Sequence, residues 1–501
     1  MAIPVAQDEK SIVHFLNRGG FGPTTGQIAQ VKRRGLENYL RDQLDAAPDP
    51  EVEKRIARFG DQSYSVTEMF EIYRGKSPLV KKDQPLNGIM PMLDNFYTTK
   101  IFRAAASESQ LHEVLVDFWY NHFNVSRVAA RWGAIAYERE AIRPNIRLRF
   151  RDLIGATAKH PAMLFYLDNY LNRRNEIQNG RPVRGINENY GREVLELHTL
   201  GVDAGYKETD VVNAARVFSG WGLDHPHDKI DLGTGVFVFK PEEHDRQAKT
   251  VFGLEFPAGG GREEGEKLLD YLSVHPATAH FISTKLARRF VADDPPESLV
   301  ERCAQTFLST KGDLKKVVTT LFESPEFWAA SPTPRFRTPF EFVIACLRAT
   351  GASVDTAVPG LMDALGAMGM KPYYCVPPTG YPDRGADWLS PAYLHRFRFA
   401  LALAEGRVSG VRVRLGDVVK VSGGDAADPV SIATVLNREI FGGGLSSATI
   451  EAASAITPGA SAFTRMMEGA LGTAHPLKAQ PAALASKVVG LILASPEMQM
   501  R

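Results

Sequence analysis

The chain has 501 residues, more than one hydrophobic core usually organises, so two or more packed subdomains are expected. Its 59 Lys and Arg against 58 Asp and Glu leave a formal charge of +1, which gives no overall field for binding nucleic acid or an acidic membrane surface. The cysteines Cys303, Cys346 and Cys375 are far apart and odd in number, supporting neither a disulfide framework nor a thiolate zinc site.

The start, "MAIPVAQDEKSIVHFLNRGGFGPT", lacks a charged segment followed by an apolar one, and nowhere does an apolar run of about 18 residues occur. The chain as written therefore reads as untargeted and without a transmembrane segment. "TTGQIAQVKRRGLENYLRDQLD", "QLHEVLVDFWYNHF", "DVVNAARVFSGWG", "ATAHFISTKLARRFV" and "DLKKVVTTLFESPEFW" place apolar residues at three-to-four spacing, which predicts helices. In the two "HPA" triplets, at 160 and 275, the proline is expected in a first helical turn. At about 230–256, "GVFVFK" and "KTVFGLEF" predict a small β-hairpin. "FPAGGGREEG" marks a boundary near residue 255. The expected fold is a mainly α, large multi-helix protein with two helical lobes, 1–255 and 256–501, and a hairpin insertion in the first. A proline-rich loop at 371–388, containing "YYCVPPTGYPD", is expected to close over a polar cleft in the first lobe and to supply a stacking wall.

The stretch "NENYGREVLELHTLG", residues 187–201, carries an unusual density of polar side chains. On a helix Asn189, Glu193 and Glu196 share one face with Arg192 at its margin, while Tyr190, Val194 and Leu197 share another. Carboxylates one turn apart repel unless a cation, a proton or a metal intervenes. Glu188 and Arg192 are spaced for a salt bridge, so a solvated helix face would account for some of the pattern. Two further polar sets sit in apolar-striped segments: Asp117, Trp119, Asn121, His122 and Asn124 in "LVDFWYNHFNVS", and Asp168, Asn169 and Asn172 in "YLDNYLNRR". Buried polar groups must pair or serve a ligand, so Asp117, His122, Asp168, Asn189, Arg192 and Glu193 are expected to converge in one pocket.

Together with "DFWYNHF", "YEREAIRP", "HPAMLFYLDN", "ARVFSGWG", "HPATAHFISTKLARRFV" and "PPTGYPD" followed by "WLSPAYLHRFRFALAL", this stretch resembles the bacterial domain of unknown function family 1800 over nearly the whole chain. The resemblance implies a large, mostly helical bacterial protein, often exported to the periplasm or exterior and often encoded beside a second exported, sulfatase-like protein that would be a possible partner. It implies no assigned activity.

The residues themselves point first to a hydrolase of a polysaccharide or other polyhydroxylated substrate, working by carboxylate acid–base chemistry without a cofactor. Its catalytic groups are expected among Glu193, Glu196, Asp117 and Asp168. The pairing stays open, because carboxylates at i and i+3 lie side by side instead of flanking a bond. Trp119, Asn121, His122, Asn169, Glu188, Asn189, Arg192 and Trp221 are expected to bind the substrate. A second class is a helical-bundle site for a divalent metal, with ligands among Glu113, Asp117, His122, Glu193 and Glu196, although Glu-x-x-Glu-x-His is not the usual bundle spacing. A third is a noncatalytic scaffold or carbohydrate-binding protein whose polar cluster satisfies itself. No glycine-rich phosphate loop and no Gly-x-Ser-x-Gly elbow is present, and His244 with Asp245 reads as a turn pair.

Overall fold

A computed structural model describes the chain except for residues 1–2, 5–7, 60–63, 74–88, 131–132, 179–180, 225–234, 330–334, 356, 391 and 457–483. The fold is mainly α, with four two-stranded antiparallel sheets among the described residues. Local signals set many helix starts. Thr338 accepts from the backbone N–H of Glu341 while Glu341 accepts from that of Thr338, a reciprocal cap on the helix Pro339–Ala349. Both "HPA" prolines do open helices, Pro161–Tyr166 and Pro276–Phe290, and each preceding histidine ring accepts the N–H two residues on, at 3.1 Å.

One continuous apolar core runs from Ile3 to Met498. Residue 255 lies within the strand Leu254–Phe256, and helices from either side of it pack together: Phe150–Lys159 on Arg262–Ser273, and Ile89–Ala106 on Pro339–Ala349.

The strands near 230–256 pair differently from the single hairpin expected. Phe237–Phe239 pairs with Trp221–Leu223, whereas Lys249–Val251 pairs with Leu254–Phe256. The reason is local. Phe252 and Gly253 have φ of 44° and 84°, the left-handed pair that makes a two-residue turn, so "KTVFGLEF" folds back on itself and leaves "GVFVFK" to another partner. Residues 225–234 of the expected hairpin lie outside those described.

Two features place the polar groups. The segment Glu138–Ile142 is a π-helical turn, an insertion into helical geometry that is frequent at functional sites. The proline-rich loop lies against the end of the helix Gln110–His122. There Asn124 donates to the carbonyls of Cys375 at 3.1 Å and Pro377 at 2.8 Å, and the N–H of Arg127 donates to Tyr373 O at 2.8 Å.

Candidate functional site

The helix Asn189–Glu196 is positioned by its apolar face: Tyr190, Val194 and Leu195 are buried. Gly191 allows this close seat, because a Cβ there would stand 2.6 Å from the backbone nitrogen of Ala215 on the helix Glu208–Val217. The helix closes on a widened turn, with Glu193 O accepting from the N–H groups of both Leu197 and His198 at 2.9 Å.

Its outer face carries the acids. Arg192 pairs with Glu188 at 3.2 Å and with Glu208, so its charge is balanced without Glu193. Glu196 accepts a hydrogen bond from the Tyr206 hydroxyl at 3.0 Å. Glu193 is half-buried and its carboxyl makes no hydrogen bond to a described residue; burial and then the neighbouring Glu196 push it up to about 7, against the pull of Arg192. Asp168 reaches this face from a separate segment, where its left-handed backbone (φ 56°) ends the helix Pro161–Tyr166 region. Asn189 Nδ2 donates to Asp168 Oδ2 at 3.3 Å, and burial raises the Asp168 carboxyl while that bond opposes the rise. Tyr166 stands close enough to feel the Glu193 charge, and its hydroxyl donates to Val376 O at 2.6 Å. Glu193, Glu196, Asp168, Asn189, Arg192 and Glu188 thus form one acidic, partly exposed surface beside the proline-rich loop.

The other expected residues divide. Asp117 and Asn121 line a separate cavity of about 60 Å³, between the helices Gln110–His122 and Pro276–Phe290, the segment around 335–341 and the loop at 370–383. Lys100 pairs with Asp117 at 2.9 Å; burial pushes the Asp117 carboxyl up and Lys100 opposes it. The expected convergence in one pocket is therefore corrected: Asp117 belongs to the cavity, whereas Asp168, Asn189, Arg192 and Glu193 belong to the surface. His122 lies buried between them, with Nε2 3.2 Å from His198 O and Nδ1 without a hydrogen-bond partner among the described residues. Burial, then Lys285, hold the His122 ring well below its usual value and so uncharged.

Four substrate-binding expectations meet full enclosure. Trp119 and Trp221 are completely buried, the first among Phe118, Phe123 and Phe150, the second under Gly265, where a Cβ would come within 2.3 Å of its ring. Asn169 is also buried and ties the carbonyls of Phe218 and Trp221 at 3.2 and 2.8 Å. These three, with His122, are enclosed because neighbouring elements cover their segments on more than the apolar side, which a stripe in the sequence did not reveal. Tyr373 is buried as well: it stacks on Phe96 with centroids 4.0 Å apart, donates to Glu138 at 2.7 Å and, with Tyr381, lines the cavity beside Asp117 and not the acidic surface.

The sequence reading missed a buried ion network behind the cavity. Glu138 accepts from Arg143 at 2.9 Å and lies 3.6 Å from Lys100, while Arg143 also binds Glu113 through two nitrogens. Burial alone would raise Glu138, but Lys100 and then Arg143 pull it down to about 2. The signal was present in "YEREAIRP", whose Glu138 and Arg143 are five apart, a spacing that only the π turn brings face to face. His244 and Asp245 are no simple turn pair: the ring sits between Ser219 and Glu264, at 3.3 and 3.1 Å, wholly buried. Ser219 Oγ is already engaged with Arg216 O and the Asp245 N–H, which makes this a structural knot. Among the described residues no group of three or more His, Cys, Asp or Glu side chains is placed to hold a metal ion.

A family model described as "Protein of unknown function (DUF1800)" matches residues 14–500. The chain belongs to the DUF1800 family. No curated protein and no solved structure matches this DUF1800 chain. No helix among its described residues is long and apolar enough to cross a membrane.

Proposed function

We propose that this protein is a hydrolase of a polyhydroxylated substrate, of the glycosidic-bond class, with Glu193 as general acid. The observation that carries the reading is the Glu193 carboxyl: half-buried, without a hydrogen-bond partner among the described residues, beside Glu196 and near neutrality in its proton affinity. A carboxylic acid kept partly protonated near pH 7 beside a second carboxyl group is the arrangement that protonates a leaving-group oxygen. Asp168 meets the same face from another segment, so the second carboxylate need not come from the same helix as the acid. Asn189, Arg192, Tyr206 and Tyr166 offer hydrogen bonds to substrate hydroxyls around it.

The test is release of reducing ends from a panel of polysaccharides by the purified chain, compared with Glu193→Gln and Asp168→Asn. Glu193→Gln is expected to lower turnover by a factor on the order of a hundred or more with the fold intact. No release from any polymer, or equal turnover by wild type and Glu193→Gln, overturns the proposal.

A further inference from the structure

The cavity beside Asp117 is lined by more cations than acids. Lys100, Lys285, Arg289 and Arg335 line it, against Asp117, Glu341 and Asp383. At one end each lysine has one acid, Lys100 with Asp117 at 2.9 Å and Lys285 with Asp383 at 2.9 Å, and an ammonium carries three donors, so Lys285 can serve a second acceptor. At the other end the acids are fewer than the cations. Glu341 Oε1 stands 3.0 Å from Arg289 Nη2, 3.0 Å from Arg501 Nη1 and 3.9 Å from Arg335 Nη1, so one carboxylate oxygen serves three guanidinium groups. The other oxygen, Oε2, already accepts from the Thr338 N–H at 2.9 Å.

Arg335 has a second acid, Asp293, at 3.0 Å. Arg289 has none: it is 8% exposed, and neither Nη is placed to donate a hydrogen bond to a described residue. Further buried arginines crowd the same region; burial, then Arg335, bring the Arg18 guanidinium down to about 10. A desolvated cation without a full partner is costly, and the usual remedy is a bound anion. The cavity's 60 Å³ has room for roughly four to six water-sized bodies at ~10–15 Å³ each, the scale of a tetrahedral oxoanion and far below that of a sugar polymer.

We infer that this cavity binds one small oxoanion, phosphate or sulfate, either free or as the terminal monoester of a larger ligand, held by Arg289 and Lys285. The guanidinium fork of Arg289 supplies paired donors and Lys285, on the same helix Pro276–Phe290, supplies a point charge nearer the loop. The inference stands apart from the acidic surface around Glu193 and does not depend on hydrolase activity there.

The test is titration calorimetry of the full chain at constant chloride with inorganic phosphate, inorganic sulfate and a hexose 6-phosphate. Saturable binding at one site per chain is expected, weakened roughly tenfold or more in Arg289→Lys and in Lys285→Met. Tighter binding of the monoester than of inorganic phosphate identifies the anion as a substituent; the reverse order identifies a free ion. No saturable heat with any of the three overturns the inference. So does unchanged affinity in Lys285→Met with wild-type circular dichroism, a variant that decides the matter even if Arg289→Lys does not fold.

Discussion

Asn121 holds Tyr381 at both ends of its backbone: Nδ2 donates to Tyr381 O at 2.9 Å, and Oδ1 accepts from Tyr381 N at 2.8 Å. A side-chain amide has the same donor–acceptor spacing as a neighbouring strand, so one residue at the end of the helix Gln110–His122 replaces a ladder for the proline-rich loop. Gly380, at φ 74°, makes room, since a Cβ there would lie 2.4 Å from Asn121 O.

Asn121→Ala removes both bonds and is expected to cost about 2 kcal/mol. The loop is expected to detach before the rest of the fold unfolds. Trypsin cleavage after Arg384 should accelerate well beyond what the change in melting temperature accounts for; an unchanged cleavage rate would show that Tyr381 is held by other contacts.

Glu193 binds its proton more tightly folded, at about 7, than at the ordinary value of 4.5. The folded state therefore holds more protons between those values, and stability falls as pH rises through about 4.5 to 7, then stays level. With the group partly open to solvent, the loss is on the order of 1 kcal/mol. Glu193→Gln should flatten this slope and be more stable than wild type at pH 8 in urea melts. Destabilisation by Glu193→Gln at pH 8 would mean that its charge is needed structurally.

Glu138 has the opposite sign. Its carboxyl is held at about 2, so the stability it contributes is present above about pH 4.5 and is lost as pH falls toward 2, amounting to about 3 kcal/mol. Glu138→Gln leaves Lys100 and Arg143 short of a partner and is expected to cost about 3–5 kcal/mol at pH 7. Chemical denaturation at pH 7 and pH 3 reads both effects, and the gap between variant and wild type should shrink at the lower pH.

Gly191→Ala is expected to push the helix Asn189–Glu196 off the helix Glu208–Val217 and to cost about 1–3 kcal/mol, since the obstructing atoms are backbone. Glu193 moves with that helix. If the proposed activity exists, turnover per folded molecule should fall as well; retained turnover would show that the site tolerates the shift.

Much of the helical fold was legible, because amphipathic spacing and the His-Pro starts are local signals that tertiary packing reinforces. The outer face of Asn189–Glu196 was legible for the same reason: one turn of helix fixes which side chains are neighbours. What spacing cannot convey is total enclosure. Trp119 and Trp221 looked like platforms because an aromatic residue in a stripe reads alike whether its far side meets water or another helix. The cavity escaped notice for a different reason. Of its charged groups only Asp117 stood out; Lys100, Lys285, Arg289, Arg335 and Glu341 are scattered over more than two hundred positions, and each looks like ordinary surface charge until the chain folds. The strand pairing failed on a two-residue turn, where Phe252 adopts a left-handed conformation its side chain gives no reason to expect.

Cys303, Cys346 and Cys375 are all buried. The native thiols are thus shielded from a maleimide, and burial pushes the Cys375 thiol up to about 11, which leaves little reactive thiolate at neutral pH. The wild-type background is therefore already quiet enough for site-specific labelling. Val376, 57% exposed and carrying the carbonyl that Tyr166 binds, is a position where one introduced cysteine could carry a fluorophore within sight of Glu193. An optical reporter of loop position becomes available without stripping the core of its sulfur.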